Sequence, residues 1–328
     1  MMLAFIVRRL VQAVVVMAVV AFVSFSLFQF VGDPVTSMLG QDATEEQRVQ
    51  LRRDLGLDAP IPVQFLSFVK NAVRGDFGIS YRQGQKVSTL IRDRLPATLE
   101  LSFAAAVLAL AVGIPMGVYT ALRRKGVIAN VLLAASLIGV SLPTFLIGIL
   151  LILVFAVMLG WLPSFGRGET VQIGWWSTGL LTRDGWSHLI LPAITLCLFQ
   201  TTLIMRLVRS EMLEVLRTDY IKFARARGLS DRAVYFGHAL KNTLVPVITI
   251  TGLQLGAIIA FAIITETVFQ WPGMGLLFIQ SVQVADVPIM AAYLCLIALI
   301  FVTINLVVDL LYFVVDPRLR VERSSAGH

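Results

Sequence analysis

Arg217-Thr218-Asp219-Tyr220-Ile221-Lys222-Phe223-Ala224-Arg225-Ala226-Arg227-Gly228-Leu229-Ser230-Asp231 is a polar, basic interlude between two long apolar runs. Asp219 is a good helix N-cap, and Gly228 stands where a left-handed C-terminal cap is required, so the stretch predicts a helix of about two turns. Such a helix is too short to be stable alone. Tyr220, Phe223, Ala224 and Arg227 fall at three- and four-residue spacing and would share one side. Ser230 then caps a second helix that continues towards Pro246. Aromatic and basic side chains on a short helix suit docking into another protein; they also suit a helix lying on anionic lipid.

The flanking sequence settles the class. Of 328 residues 57% are hydrophobic and 14% charged, with a mean hydropathy of +0.83, against about 25% charged in ordinary soluble domains. So apolar a chain cannot clothe itself in polar surface, which argues against a water-soluble enzyme and for an all-α polytopic membrane protein. The net charge of +7 is read as surplus Lys and Arg on cytoplasmic loops, not as a nucleic-acid surface. Cys197 and Cys295 lie inside apolar runs, and His188, His238 and His328 are scattered, so neither a disulfide framework nor a metal centre is expected.

Six spans can be read. The anchor helix occupies 1–31, with its apolar run from Leu10 to Val31 after Arg8 and Arg9. Residues 32–98 form a charged outward segment in which Thr44 and Gln47 mark a helix start. A core of five spans occupies 99–315, with a cytoplasmic loop at 209–243, and 316–328 is a cytoplasmic tail. Within the core, Gly113 and Gly117 flank Pro115 as a close-approach pair with a kink. Val127 to Leu159 is too long for one straight crossing unless tilted, projecting or broken at Ser141-Leu142-Pro143. About sixteen Lys and Arg fall on the side that holds both termini and two in the short loops opposite. Both termini are therefore placed in the cytoplasm, and the chain is expected to be a multi-pass inner-membrane protein.

Tyr220, Ala224, Arg225, Ala226, Gly228 and Leu229, with His238, Ala239, Leu240, Asn242 and Pro246 downstream, resemble the EAA loop of bacterial ABC-importer permeases in the dipeptide, oligopeptide and nickel branch. The resemblance extends along nearly the whole chain through Asp33-Pro34, Leu55-Gly56-Leu57-Asp58, Gly75-Asp76-Phe77-Gly78, Thr98-Leu99-Glu100, Gly160-Trp161-Leu162-Pro163, Trp271-Pro272-Gly273 and Asp316-Pro317-Arg318. It implies an ABC type I importer permease fold. It also implies a heterodimer with a second homologous permease, two cytoplasmic ATPases that hold ATP and Mg, and a periplasmic or external substrate-binding protein. Asp219, Tyr220, Phe223, Ala224, Arg225, Arg227 and Gly228 would then form the coupling helix. Lys222 departs from the family pattern, standing where the general motif has a glutamate. No G-x-x-x-x-G-K-[ST] loop occurs, so this chain is not expected to hydrolyse ATP or to need a cofactor of its own. Peptides lead the substrates the resemblance implies; nickel chelates, glutathione, opines and oligosaccharides are the alternatives.

Candidate pathway residues sit on the later spans. Gly252 and Gly256 form a small-xxx-small pair suited to helix packing, and Gln254 between them suits the pathway, since an amide facing lipid is costly. Glu266 near the outer end marks either the outer gate or the membrane interface. Trp271-Pro272-Gly273-Met274-Gly275 cannot continue a helix and, by resemblance, belongs to the external gate and binding-protein seat. Asn305 and Asp309 share one side of the last span, with Asp309 expected to pair with a basic residue near the cytoplasmic boundary. No arrangement suited to covalent catalysis is recognisable. An ion-gradient-driven transporter would need ionisable residues at mid-span, of which the chain has few.

Overall fold

A computed structural model of the chain describes residues 2–30, 35, 39, 44–54 and 56–315. Asp33-Pro34, Leu55 and the tail with Asp316-Pro317-Arg318 lie outside the described residues. The elements are α1 (Met2–Phe30), α2 (Glu45–Asp54), α3 (Ile61–Val73), α4 (Val87–Leu122), α5 (Val127–Ser141) and α6 (Thr144–Leu151), then a hairpin of β1 (Val171–Ile173) and β2 (Trp176–Thr178). They continue as α7 (Arg183–Val215), α8 (Asp219–Ala226), α9 (Leu240–Val268), α10 (Met274–Gln283) and α11 (Val287–Val315). Among the described residues five helices are long and apolar enough to cross a membrane, and the count reaches six where the bent pair α5–α6 is taken as one broken span.

Two spans extend beyond the apolar runs that announce them. α4 starts at Val87 rather than Leu99, and its 36 residues reach about 54 Å at 1.5 Å per residue, well past a hydrocarbon core of about 30 Å. Pro96 lies inside the helix, not at its start. The hydrogen bond it removes is offset by packing, since Ala97, Leu101 and Ala105 are fully buried. α7 likewise starts at Arg183, where Thr182 Oγ1 accepts from the Gly185 N–H at 2.9 Å, so its first turns stand outside the apolar run. The long third run is broken where expected. Pro143 opens α6, the axis turns by 110°, and residues Ile152–Met158 continue as a π-helix.

Close contacts fix the relative direction of neighbouring helices. A Cβ on Gly113 would fall 2.9 Å from Ile204 Cγ2, and one on Gly117 2.6 Å from Val208 Cβ, so α4 and α7 run parallel in close contact. Gly252 against Val308 and Gly256 against Phe301 make α9 and α11 antiparallel. Both glycine pairs serve the close helix approach that their spacing predicts. α1 and α11 are antiparallel too. Arg9 Nη2 meets Asp309 Oδ1 at 2.8 Å, and fourteen residues back along α11 the Cys295 thiol lies 3.5 Å from Ser24 Oγ. Gly139 faces Leu198 and Thr202, and Gly148 faces Thr195, so the broken span runs against α7. The antiparallel pairing of α1 with α11 puts the start of α1 and the end of α11 on the same side.

Outside the crossings, Thr44 and Gln47 form a reciprocal cap. The Gln47 N–H donates to Thr44 Oγ1 at 3.3 Å and the Thr44 N–H to Gln47 Oε1 at 3.1 Å. α3 lays Phe65 and Phe68 against Phe22, Phe25 and Phe28 of α1, with Phe25 and Phe65 rings 5.5 Å apart.

Candidate coupling loop and outer gate

α8 spans eight residues between α7 and α9. Its N-cap is Thr218, whose extended backbone precedes the first helical residue, Asp219, and which makes no side-chain cap bond. The expected cap at Asp219 is thus displaced by one. Asp219 already has helical geometry, and its carboxylate instead accepts from Lys222 Nζ at 2.9 Å. That hydrogen bond, together with the lysine's charge, holds the Asp219 carboxyl below its usual pKa. The far end closes as anticipated from Gly228, which has φ +81. The Gly228 N–H donates to Arg225 O and the Leu229 N–H to Ala224 O, the paired bonds of a Schellman cap.

The helix is two-faced, with a different division from the one its spacing suggested. Ile221 and Ala224 are buried against the rest of the chain, while Tyr220 is 41% and Phe223 65% exposed. Ala224 therefore belongs to the anchoring side. Ile221, which the aromatic and basic pattern passes over, is the fully buried residue that seats the helix. Arg227 lies over the Phe223 ring at 5.8 Å and Arg225 over Tyr235 at 5.9 Å. Asn242 Nδ2 donates to the Tyr220 hydroxyl at 2.6 Å, tying α8 to the foot of α9. Ser230 caps the next helix, its hydroxyl accepting from the Ala233 N–H at 3.4 Å.

At the opposite end of α9, Glu266 is fully buried. Its Oε1 accepts from the Thr98 hydroxyl at 2.6 Å and its Oε2 from the Leu276 N–H at 3.0 Å, while Thr98 Oγ1 accepts from the Met274 N–H at 2.8 Å. A carboxylate from α9 and a hydroxyl from α4 therefore cap the first turn of α10, satisfying donors left open by Gly273 at its N-cap. Trp271 is buried and donates Nε1–H to Ala97 O at 2.9 Å. A Cβ at 275 would sit 2.6 Å from Ile263 Cα, and one at 273 would press on the Glu266 carboxylate that caps α10. Glu266, Trp271, Pro272, Gly273 and Met274 thus form one closed turn. The residues alone left Glu266 open between gate and interface; the structure puts it in the turn's interior.

Beside this turn, Glu100 and Arg167 form a buried ion pair. Arg167 also donates to Ser177 O at 2.7 Å and Ser177 Oγ at 3.0 Å, and Glu100 accepts from Trp176 Nε1 at 3.2 Å. The pair pins the β1–β2 hairpin to α4. Sequence reading did not single out Arg167; its one signal is that it is one of two arginines, with Arg183, in a tryptophan-rich outer loop. Midway along α9, Gln254 meets buried Gln200 of α7, with Gln200 Nε2 donating to Gln254 Oε1 at 3.5 Å. Asn305 is half-buried on α11, and the structure draws it into neither the coupling loop nor the outer turn.

The structure is a polytopic helical membrane protein with an exposed two-turn helix at one end of α9 and a closed turn at the other. The chain belongs to the family of binding-protein-dependent transport system inner membrane components, whose model matches residues 113–321. The N-terminal model for membrane components of such systems matches residues 2–102. It is 39% identical to the di/tripeptide transport system permease protein DppB of Pseudomonas aeruginosa, over 98% of this chain and 100% of that one. It is also 39% identical to the oligopeptide transport system permease protein AppB of Bacillus subtilis, over 97% and 99% of the two chains. Among solved structures, an inward-facing MetNI methionine ABC transporter matches with a TM-score of 0.56 at 19% identity, covering 69% of this chain and 96% of that one. The fold is that of an ABC type I importer permease.

Proposed function

We propose that this chain is one of two permease subunits of a bacterial inner-membrane importer for di- and oligopeptides. It pairs with a second, homologous permease, receives substrate from an external binding protein, and is driven by two cytoplasmic ATPases that bind ATP and Mg. The observation that carries this reading is end-to-end similarity, without large unmatched regions, to relatives named as peptide permeases.

The geometry supports a division of labour. Tyr220, Phe223, Arg225 and Arg227 offer a rigid aromatic and basic surface, seated by Ile221 and tied through Asn242 to α9. An ATPase cleft that grips this surface moves α9 as a lever, and at the other end of α9 stands the Glu266 turn. Closure inside and opening outside are thereby coupled through one helix, with the Gln200–Gln254 amides at its middle.

Purifying the assembly and reconstituting it with its binding protein tests the reading. ATP-dependent accumulation of di- or tripeptides is the expected result. Import by this chain alone under a proton or sodium gradient would overturn it.

A further inference from the structure

A cavity of about 400 Å³ opens between Leu99 and Phe103 of α4, Leu255 and Ile259 of α9, and Ile304 of α11, with the β1–β2 hairpin over it. That size lies within the range of small-ligand sites. Leu255 and Ile259 fall between Gln254 at the middle of α9 and Glu266 at its outer end, so the cavity lies on the stretch that joins the mid-span amides to the outer turn.

Its wall is apolar except at Glu100, Ser102, Trp176 and Thr178, and the Thr178 hydroxyl already accepts from the Leu180 N–H at 3.2 Å. Trp176 Nε1–H is already committed to Glu100. Glu100 Oε1 accepts only that one bond among those recorded for it, leaving a lone pair free. Ser102 lines the cavity, is 4% exposed, and its hydroxyl has no hydrogen-bond partner. A buried hydroxyl without a partner carries the unrecovered cost of its lost hydration. An acyl chain filling the cavity would leave that cost standing, whereas a peptide supplies apolar side chains and main-chain N–H and C=O groups together.

We infer that this cavity is a substrate subsite. It takes one apolar side chain of the travelling peptide, while Ser102 Oγ and Glu100 Oε1 hydrogen-bond the adjoining main chain. The inference rests on the peptide-importer reading and adds to it a place within this chain where side-chain size is felt.

The test uses the complete assembly with its binding protein at saturation in proteoliposomes, comparing ATP-driven uptake of Ala-Ala-Ala and Ala-Phe-Ala. Two filling variants on different spans, Leu255→Trp and Ile304→Trp, are expected to lower the Phe-to-Ala uptake ratio about tenfold. Ser102→Ala, a small change that leaves packing intact, is expected to lower uptake of both peptides about fivefold, with Ser102→Thr restoring most of it. An unchanged ratio in an assembled filling variant, or unchanged uptake in Ser102→Ala, would overturn the subsite. So would a phospholipid chain retained in the cavity during import. Failure of the unaltered assembly to import either peptide is a different result, and would instead overturn the peptide reading.

Discussion

The two ends of α9 are built on opposite principles. At its foot, α8 leaves Phe223 65% exposed and lays arginines over aromatic rings in the open, with only Ile221 and Ala224 buried. At its outer end every named polar group is turned inward, with the Glu266 carboxylate, the Thr98 hydroxyl and the first N–H groups of α10 satisfying one another. On the proposed reading, the first is the surface that an ATPase holds, and the second is a closure that holds this chain to itself until α9 is pulled. Substitutions should therefore disturb the fold strongly at the outer end and the partnership, not the fold, at the inner end.

The largest expected effect on stability comes from Glu266→Ala. It orphans the Thr98 hydroxyl and the Leu276 N–H in a buried site and should cost on the order of 3 kcal/mol, read as a lowered melting temperature in detergent. Glu266→Gln, which keeps an acceptor, should cost less. Gly228→Val should come next. A β-branched residue at φ +81 costs about 1–2 kcal/mol, enough to distort the cap of α8 and to reduce peptide import while ATP hydrolysis by the partner subunits continues. An unchanged import rate in Gly228→Val would contradict the role given to α8.

Phe223→Ala should leave the melting temperature almost untouched, because an exposed side chain contributes within about 0.5 kcal/mol. It should nevertheless weaken ATPase binding about tenfold or more in a pull-down titration, as removal of an aromatic anchor does. The smallest effect concerns the Asp219–Lys222 pair. Lys222 lowers the Asp219 pKa, so the pair's contribution is present above the unfolded pKa and lost only as pH falls through the lower folded value. ATPase binding should therefore show no inflection from this pair between about pH 5 and pH 8. A mid-range inflection abolished by Lys222→Ala would contradict that assignment.

This contrast also shows what sequence can and cannot carry. The crossings are legible because an apolar run of about twenty residues has few other uses, and the break at Pro143 because a proline disfavours helix in the residue before it. The turn of α8 at Gly228 is legible because a left-handed position favours glycine. The true start of α4 is not, since Arg92, Asp93 and Arg94 lie in helix beyond the lipid, where hydropathy carries no signal. Nor is the one-residue shift of the cap to Thr218, because both Thr and Asp suit that position, with Asp the more favoured of the two. The partnerships of Glu266 with Thr98 and of Glu100 with Arg167 join residues far apart in the chain, and only the packed fold brings them together. Ile221 was overlooked for a related reason: one aliphatic residue among charges looks incidental until its surroundings are known.

The central claim is that a cytoplasmic ATPase grips the exposed side of α8. Cys197 and Cys295 are both buried, so Phe223→Cys would present one accessible thiol on this helix for a short bifunctional cross-linker in native membranes. The account expects a covalent adduct between this chain and the ATPase through position 223, with a yield that changes when ATP is added. An assembled, importing complex that forms no such adduct at 223, yet cross-links to the ATPase from cysteines placed elsewhere on the cytoplasmic surface, would contradict it.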